Sequence, residues 1–290
     1  TVVGALGSAD PDGGTFTYSL VAGTGSTDNS SFTIDPATGQ LKIGVVPDFE
    51  VKPSYSIRVQ TKDATGLTFE KALTVGIKNV NEKPTDLNLI SSSVDEGVPV
   101  GTVVSGFNTV DPDSGNTFTY SLVTGTGSTD NSLFTIDSTG QLKVNFVPDY
   151  NTKNSYAIRV RTTDQGGLFV EKALTINVVN LPDAPTNLVL SSNQVNENSI
   201  VGTSVGTFTT TDPDGGSFTY SLVSGTGSTD NGLFSIDSTG QLKLNFVPDF
   251  ETKSSYSIRV RTTDSTGLFL EKAFTVGIKN VNEAPTDLTL

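Results

Sequence analysis

Apolar and polar residues alternate in short runs along this chain. In residues 156–162, Tyr156, Ile158 and Val160 alternate with Ala and Arg, and residues 173–178 show the same pattern. A period of two predicts half-buried β-strands, and clusters of Gly, Asp and Ser such as 214–216 and 238–240 mark the turns between them. No run shows the helical period of 3.6. The pattern therefore predicts an all-β protein.

The same order of motifs recurs along the whole chain. Asp-Pro-Asp, Phe-x-Ile-Asp and Tyr-x-Ile-Arg-Val each occur in every copy, beginning respectively at Asp10, Asp111 and Asp212, at Phe32, Phe134 and Phe234, and at Tyr55, Tyr156 and Tyr256. The repeating unit is about 100 residues, the size of a single sandwich domain. With about seven strands in each unit, the sequence predicts tandem seven-stranded Greek-key β-sandwiches of immunoglobulin-like type.

Short segments that carry Pro, at 79–85 and 180–186, are the predicted linkers between repeats. We therefore expect repeats at 1–85, 86–186 and 187–286, with 287–290 opening a further one. Residues 1–3 match 102–104, so the first repeat is expected to lack its first strand. The absence of Met predicts a piece of a longer protein. Residues 286–290 match a first strand, which predicts weak head-to-tail self-association through the vacant edge of the first repeat.

Composition excludes several kinds of catalytic and binding chemistry. The chain has no Cys, His, Met or Trp, which removes disulfides, thiolate and imidazole nucleophiles and the usual zinc ligands. The formal charge of −13, from 31 acidic and 18 basic residues, disfavours nucleic acid and favours hard cations. No apolar run is long enough for membrane insertion. Because the paired carboxylates recur from repeat to repeat, as scaffold residues do, we expect no enzyme.

A Gly-Thr-Gly-Ser-Thr-Asp-Asn segment begins at Gly23, Gly125 and Gly225. Its glycines could suggest a phosphate-binding loop, but that site needs a helix directly after the loop. The sequence shows no such helix, so we expect a flexible surface loop.

Acidic residues occupy fixed places in each repeat. Asp111 and Asp113 flank Pro112, Asp149 follows Pro148, and Asp164 ends a predicted strand. Asp-Pro-Asp alone is a turn signal. Calcium takes about six to eight oxygen ligands, so several loops would have to converge on one ion. The recurrence of these acids favours calcium over simple turns.

These positions resemble the calcium motifs of the cadherin superfamily over essentially the whole chain. That family places a Glu near the first strand, a mid-domain Asp-x-Glu and an Asp-x-Asn-Asp-Asn-x-Pro linker on one side of a junction. An Asp-x-Asp and a later Asp of the next repeat complete the site. The Phe-x-Ile-Asp-x-x-Thr-Gly-x-Leu stretch at 32–41 resembles a packing motif of the same family.

The resemblance implies a set of calcium ligands at each of two junctions. For the first junction the implied residues are Asp48, Glu50, Asn79, Asn81, Glu82, Asp111, Asp113 and Asp164. For the second junction they are Glu96, Asp149, Asn180, Asp183, Asp212, Asp214 and Asp264.

Several positions depart from the family pattern. The first linker Asp is replaced by Asn79 and Asn180, the mid-domain Glu of the second repeat by Asn151, and a linker Asn by Pro182. Fewer carboxylates lower calcium affinity, so we expect about one or two ions at each junction rather than the family's full set. The Asn-x-Asn-Glu-x-Pro linker resembles bacterial-type surface adhesins.

The function that this resemblance implies is an extracellular, cell-surface adhesion stalk, in which calcium locks consecutive sandwiches and holds other modules away from the cell. An alternative is a calcium-dependent binding module for polysaccharide or for like repeats on another cell. A third is a spacer that does not need calcium.

Overall fold

The computed structural model describes residues 1–284, which form two compact units of β-structure. The first unit comprises Thr1–Ser92, Val103–Asn145 and Ala157–Thr175, and the second comprises Ser93–Thr102, Phe146–Tyr156 and, of the described residues, 176–284. The predicted role of 286–290 in self-association, and the predicted further repeat at 287–290, lie outside the described residues. The repeat boundaries stay predictions.

The structure is built from strands, with a short 3-10 turn in each repeat at Asn29–Ser31, Asn131–Leu133 and Asn231–Leu233. In the first repeat the strands are β1 (Val2–Ala5), β2 (Thr17–Leu20), β3 (Phe32–Ile34), β4 (Gln40–Ile43), β5 (Ser54–Lys62) and β6 (Thr68–Gly76). Those of the second are β7 (Asp86–Leu89), β8 (Ser93–Asp95), β9 (Val103–Ser105), β10 (Phe107–Val110), β11 (Thr119–Leu122), β12 (Phe134–Ile136), β13 (Leu142–Val144), β14 (Ser155–Thr163) and β15 (Phe169–Val179). Those of the third are β16 (Asn187–Leu190), β17 (Gln194–Asn196), β18 (Ser204–Thr211), β19 (Thr219–Leu222), β20 (Phe234–Ile236), β21 (Gln241–Leu244), β22 (Ser255–Thr263) and β23 (Phe269–Lys279).

The first repeat packs two sheets, ordered β1-β4-β3 and β2-β5-β6. Alternate residues of β5 face the core, where Ile57 is fully buried and Tyr55 meets Phe32 edge-on with ring centroids 5.6 Å apart. Strand β1 pairs with β4 as β9 pairs with β13 in the second repeat. The described strands of the first repeat include no counterpart of β7.

The third repeat shows the sandwich with both sheets of four strands, ordered β16-β18-β21-β20 and β17-β23-β22-β19. Its first strand is divided between the sheets, since β16 pairs antiparallel with β18 and β17 pairs parallel with β23. This division accounts for the strand beyond the seven expected from the sequence. Leu244 and Ile258 are fully buried in the core, which stabilises the fold by about 1.5–3 kcal/mol for each side chain.

The Gly-Thr-Gly-Ser-Thr-Asp-Asn loop is anchored rather than flexible, contrary to the sequence expectation. In the third repeat, the Asn231 side chain donates to the Val223 carbonyl at 2.9 Å and accepts from the Arg259 amide at 3.0 Å. Gly227 has a φ of 85°, and a Cβ at this position would lie 2.8 Å from the Cβ of Ala273. The loop needs glycine because it lies flat against the neighbouring strand.

Candidate metal centres

The linker after β6 is held against the Asp-Pro-Asp turn of the second repeat. The Asp113 carboxylate accepts hydrogen bonds from the Asn79 side-chain amide at 3.0 Å and from the Glu82 backbone amide at 2.8 Å. The turn is fixed because the Asp113 amide donates to Asp111 Oδ1 at 2.9 Å, a common way for Asp to stabilise a turn. The structure therefore brings together residues from both sides of the first junction.

Asp164 joins the same linker from another loop. It directly follows β14, where its Oδ1 accepts from the Leu168 amide at 2.9 Å, while its Oδ2 accepts from the Asn81 side chain at 2.9 Å. Burial raises the pKa of Asp164, but the hydrogen bonds from Asn81 and the hairpin amides outweigh burial and hold the pKa below its usual value. Asp164 is thus a buried, ionised carboxylate facing the linker.

Three carboxylates at the first junction crowd one another. Glu50, Glu82 and Asp113 each offer an oxygen, and these oxygens lie within 4.8 Å of one another. Burial raises the pKa of Glu82 above its usual value, and the charges of Glu50, Asp113 and Asp48 raise it further. A cation placed among these oxygens would relieve the repulsion.

The linker after β15 repeats this arrangement in the second unit. Asp214 accepts from the Asn180 side-chain amide at 3.0 Å and from the Asp183 backbone amide at 2.8 Å. The Asp214 amide in turn donates to Asp212 Oδ1 at 2.9 Å. Because of the bonds from Asp183 and Asn180, the pKa of Asp214 is lower than usual. Both linkers therefore use the same donors at matching positions.

Glu96, near the start of the second repeat, accepts hydrogen bonds from the middle of the repeat and from the linker at its end. Its Oε2 accepts from the Tyr150 amide at 2.9 Å, and its Oε1 accepts from the Leu181 amide of the linker. Burial, followed by the charges of Glu96, Asp214, Asp149 and Asp212, raises the pKa of Asp183 above its usual value. The implied ligands around this linker are thus close enough to repel one another.

Two positions of the second junction differ from the first. Asn151 stands where the first repeat has Glu50, and its amide donates to Asp183 Oδ2 at 3.1 Å. Asp264 accepts from its own hairpin, including the Leu268 amide at 3.0 Å. Pro182 occupies the place of Asn81 and has no side-chain amide to offer Asp264. The linker contact that Asp164 makes at the first junction is thus not reproduced for Asp264.

A third acidic group, which the sequence motifs did not assign to a site, lies at the end of the third repeat. Glu197, Asp249 and Glu251 offer oxygens within 4.8 Å of one another. Glu197 is buried, and the Asn280 side chain donates to Glu251 at 2.8 Å. These residues match Glu96, Asp149 and Asn151 one repeat earlier, so repeat equivalence is the signal that could have found them.

Both junctions suit a hard cation such as calcium. In the part of the chain that the structure describes, the buried Oδ2 atoms of Asp111 and Asp212 have no hydrogen-bond partner. A buried carboxylate oxygen without a partner is costly, and a cation is the partner it most favours. The surrounding acids supply carboxylate oxygens, which are among the ligands that calcium takes.

Comparison with known proteins agrees with the geometry. The model of the cadherin domain matches residues 90–179 and 191–279. Human Protocadherin Fat 4 is 30% identical over 278 residues, covering 91% of this chain and 6% of that protein. Mouse Cadherin-related family member 2 is 30% identical over 265 residues, covering 85% of this chain and 20% of that protein. The chain therefore belongs to the cadherin superfamily.

A solved structure shows the same fold. Extracellular cadherin domains 1–5 of Protocadherin Gamma B2 match with a TM-score of 0.64 and 22% identity, covering 92% of this chain and 53% of that one. The predicted all-β tandem sandwich is thus confirmed. The two relatives above come from human and mouse, and they give no support to the expectation of bacterial-type repeats.

The relatives are cadherins and protocadherins, which are adhesion proteins and not enzymes. This chain consists of cadherin repeats, and the homologues carry such repeats as extracellular domains of cell-surface proteins. Among residues 1–284, the structure contains no helix with the length and apolar character that a membrane crossing requires. The chain spans only a small part of the relatives' lengths, 6% and 20% in the two cases.

Proposed function

We propose that this chain is a calcium-stiffened segment of an adhesion stalk, with ions bound at the junctions between consecutive repeats. The observation that carries this proposal is the meeting of each linker with the Asp-x-Asp turn of the following repeat. At each junction an unpartnered, buried Asp oxygen accompanies that contact, at Asp111 and at Asp212.

Shared ligands explain why calcium would stiffen the connection. An ion bound by the mid-domain acids of one repeat and by the Asp-x-Asp of the next restrains both, since moving either repeat would remove ligands. We infer about one or two ions at each junction, because Asn79, Asn151 and Asn180 replace carboxylates of the family pattern. The partners we propose are calcium and other cadherin repeats.

Thermal unfolding with and without calcium tests this function. An ion that binds only the folded protein stabilises it by about 2.7 kcal/mol at a concentration about 100-fold above its dissociation constant. We expect calcium to raise Tm after chelator treatment and magnesium to do so less, because magnesium demands octahedral geometry and dehydrates reluctantly.

Small-angle scattering on the same samples reports stiffness. We expect chelator to shorten the maximum dimension by loosening the junctions. If neither the melting curve nor the scattering profile changes with calcium or chelator, the proposal is contradicted. That result would favour a spacer that does not need calcium.

A further inference from the structure

The residue type at the position of Asn151 differs among the repeats, and this difference changes the charge of the site. The equivalent residues are Glu50 in the first repeat and Glu251 in the third. Each of those glutamates belongs to a group of carboxylates whose oxygens lie within 4.8 Å of one another. Among the described residues, the second junction contains no such group of three carboxylates.

The Asn151 side chain occupies that place with an amide. Its Nδ2 donates to Asp183 Oδ2 at 3.1 Å. Asp183 belongs to the linker, and its backbone amide donates to Asp214 of the following repeat at 2.8 Å, so Asn151 contacts the parts that calcium would connect. A hydrogen-bond donor at this position adds attraction to the Asp183 carboxylate and no negative charge of its own.

We propose that the Asn151 amide replaces one calcium ion at the second junction, so that this junction binds fewer ions than it would with Glu and depends less on calcium. The inference rests on the proposed calcium binding at the junctions. Glu at this position adds a carboxylate that needs a cation, whereas Asn adds no charge and stabilises the neighbouring Asp183 carboxylate by a hydrogen bond.

The solvent exposure of equivalent acids at the two junctions supports a weaker need for calcium at the second junction. Asp113 of the first junction is 9% exposed, while its counterpart Asp214 is an exposed residue. Asp164 is 6% exposed, whereas Asp264 is only half-buried and has Pro182 before it instead of an Asn. Exposed carboxylates keep more of their hydration, so they repel one another less and require a cation less.

A reciprocal exchange of side chains tests the inference. Calcium bound at saturation is counted by equilibrium dialysis for the wild-type chain, for Asn151→Glu and for Glu50→Asn. We expect Asn151→Glu to bind one more ion per molecule than wild type, and Glu50→Asn to bind one fewer. Both residues are exposed, so the substitutions do not disturb the core. Each variant differs from wild type at one junction only, so a change in the number of bound ions is assigned to that junction.

Hydrogen exchange of two backbone amides gives a second readout on the wild-type chain. The Glu82 and Asp183 amides make the same contact, to Asp113 and Asp214 respectively. We expect chelator to accelerate exchange of the Glu82 amide more than that of the Asp183 amide.

The outcomes separate this inference from the proposed function. A wild-type chain that binds no calcium would overturn both. If wild type binds calcium but Asn151→Glu leaves the number of ions unchanged, or chelator affects the two amides equally, the inference about Asn151 fails alone.

Discussion

Asp164→Asn is expected to weaken calcium binding at the first junction by about tenfold or more, equivalent to about 1.4 kcal/mol. Asp164 is buried and ionised, and its carboxylate lies beside Asn81 of the linker. Asn keeps an oxygen for the Leu168 amide but removes the negative charge, so the fold should survive while the attraction for the cation falls. Calorimetric titration of calcium into the stripped variant measures the loss.

Two equivalent residues are compared with Asp164, and one of them, Asp63, is the control. Asp63 and Asp264 accept bonds from their own hairpins as Asp164 does, from the Leu67 and Leu268 amides respectively. Asp264→Asn should weaken the second junction, whereas Asp63→Asn should change little, because no linker of these 290 residues lies on the N-terminal side of Asp63. Equal losses for all three variants would mean that the acids act within repeats rather than between them.

Ile258→Ala is expected to destabilise the third repeat by about 2–5 kcal/mol, the usual cost of truncating a large core side chain. Ile258 is fully buried at the centre of β22 and packs in the cluster that contains Leu244 and Val276. The substitution leaves a cavity that close-packed neighbours fill only partly. Hydrogen exchange of the β22 amides measures the free energy of unfolding for this repeat alone.

The exposed residue Val247 is the control for this variant. Its side chain is 55% exposed, so Val247→Ala should change the free energy of unfolding by less than about 0.5 kcal/mol. If Ile258→Ala had an effect as small as that of Val247→Ala, the packing described for the third repeat would be wrong.

Much of the fold was predictable because alternation is a local signal. Ile57, Ile158 and Ile258 hold the same apolar place in the Tyr-x-Ile-Arg-Val runs, whose alternation predicts half-buried strands, and all three are fully buried. The division of the first strand into β16 and β17 could not be predicted, because it depends on which distant strand each half pairs with. The packing of Gly227 on Ala273 could not be predicted either, because those residues lie far apart in the sequence.

The candidate sites were predictable only as a set of residues. The resemblance implied that Asn79, Asp113 and Asp164 would share a junction, and the structure places them around one linker. The resemblance did not indicate that Asn79 and Asn81 would present their amide donors to the carboxylates. That choice depends on the local balance of charge, which emerges only when loops from two repeats converge.

Calorimetric titration of calcium into the stripped wild-type chain tests most directly the claim that consecutive repeats share bound ions. It reports stoichiometry and affinity together. We expect saturable binding of about one or two ions at each junction, with the oxygens of Asp111 and Asp212 among the ligands. The absence of saturable heat at millimolar calcium would contradict the account.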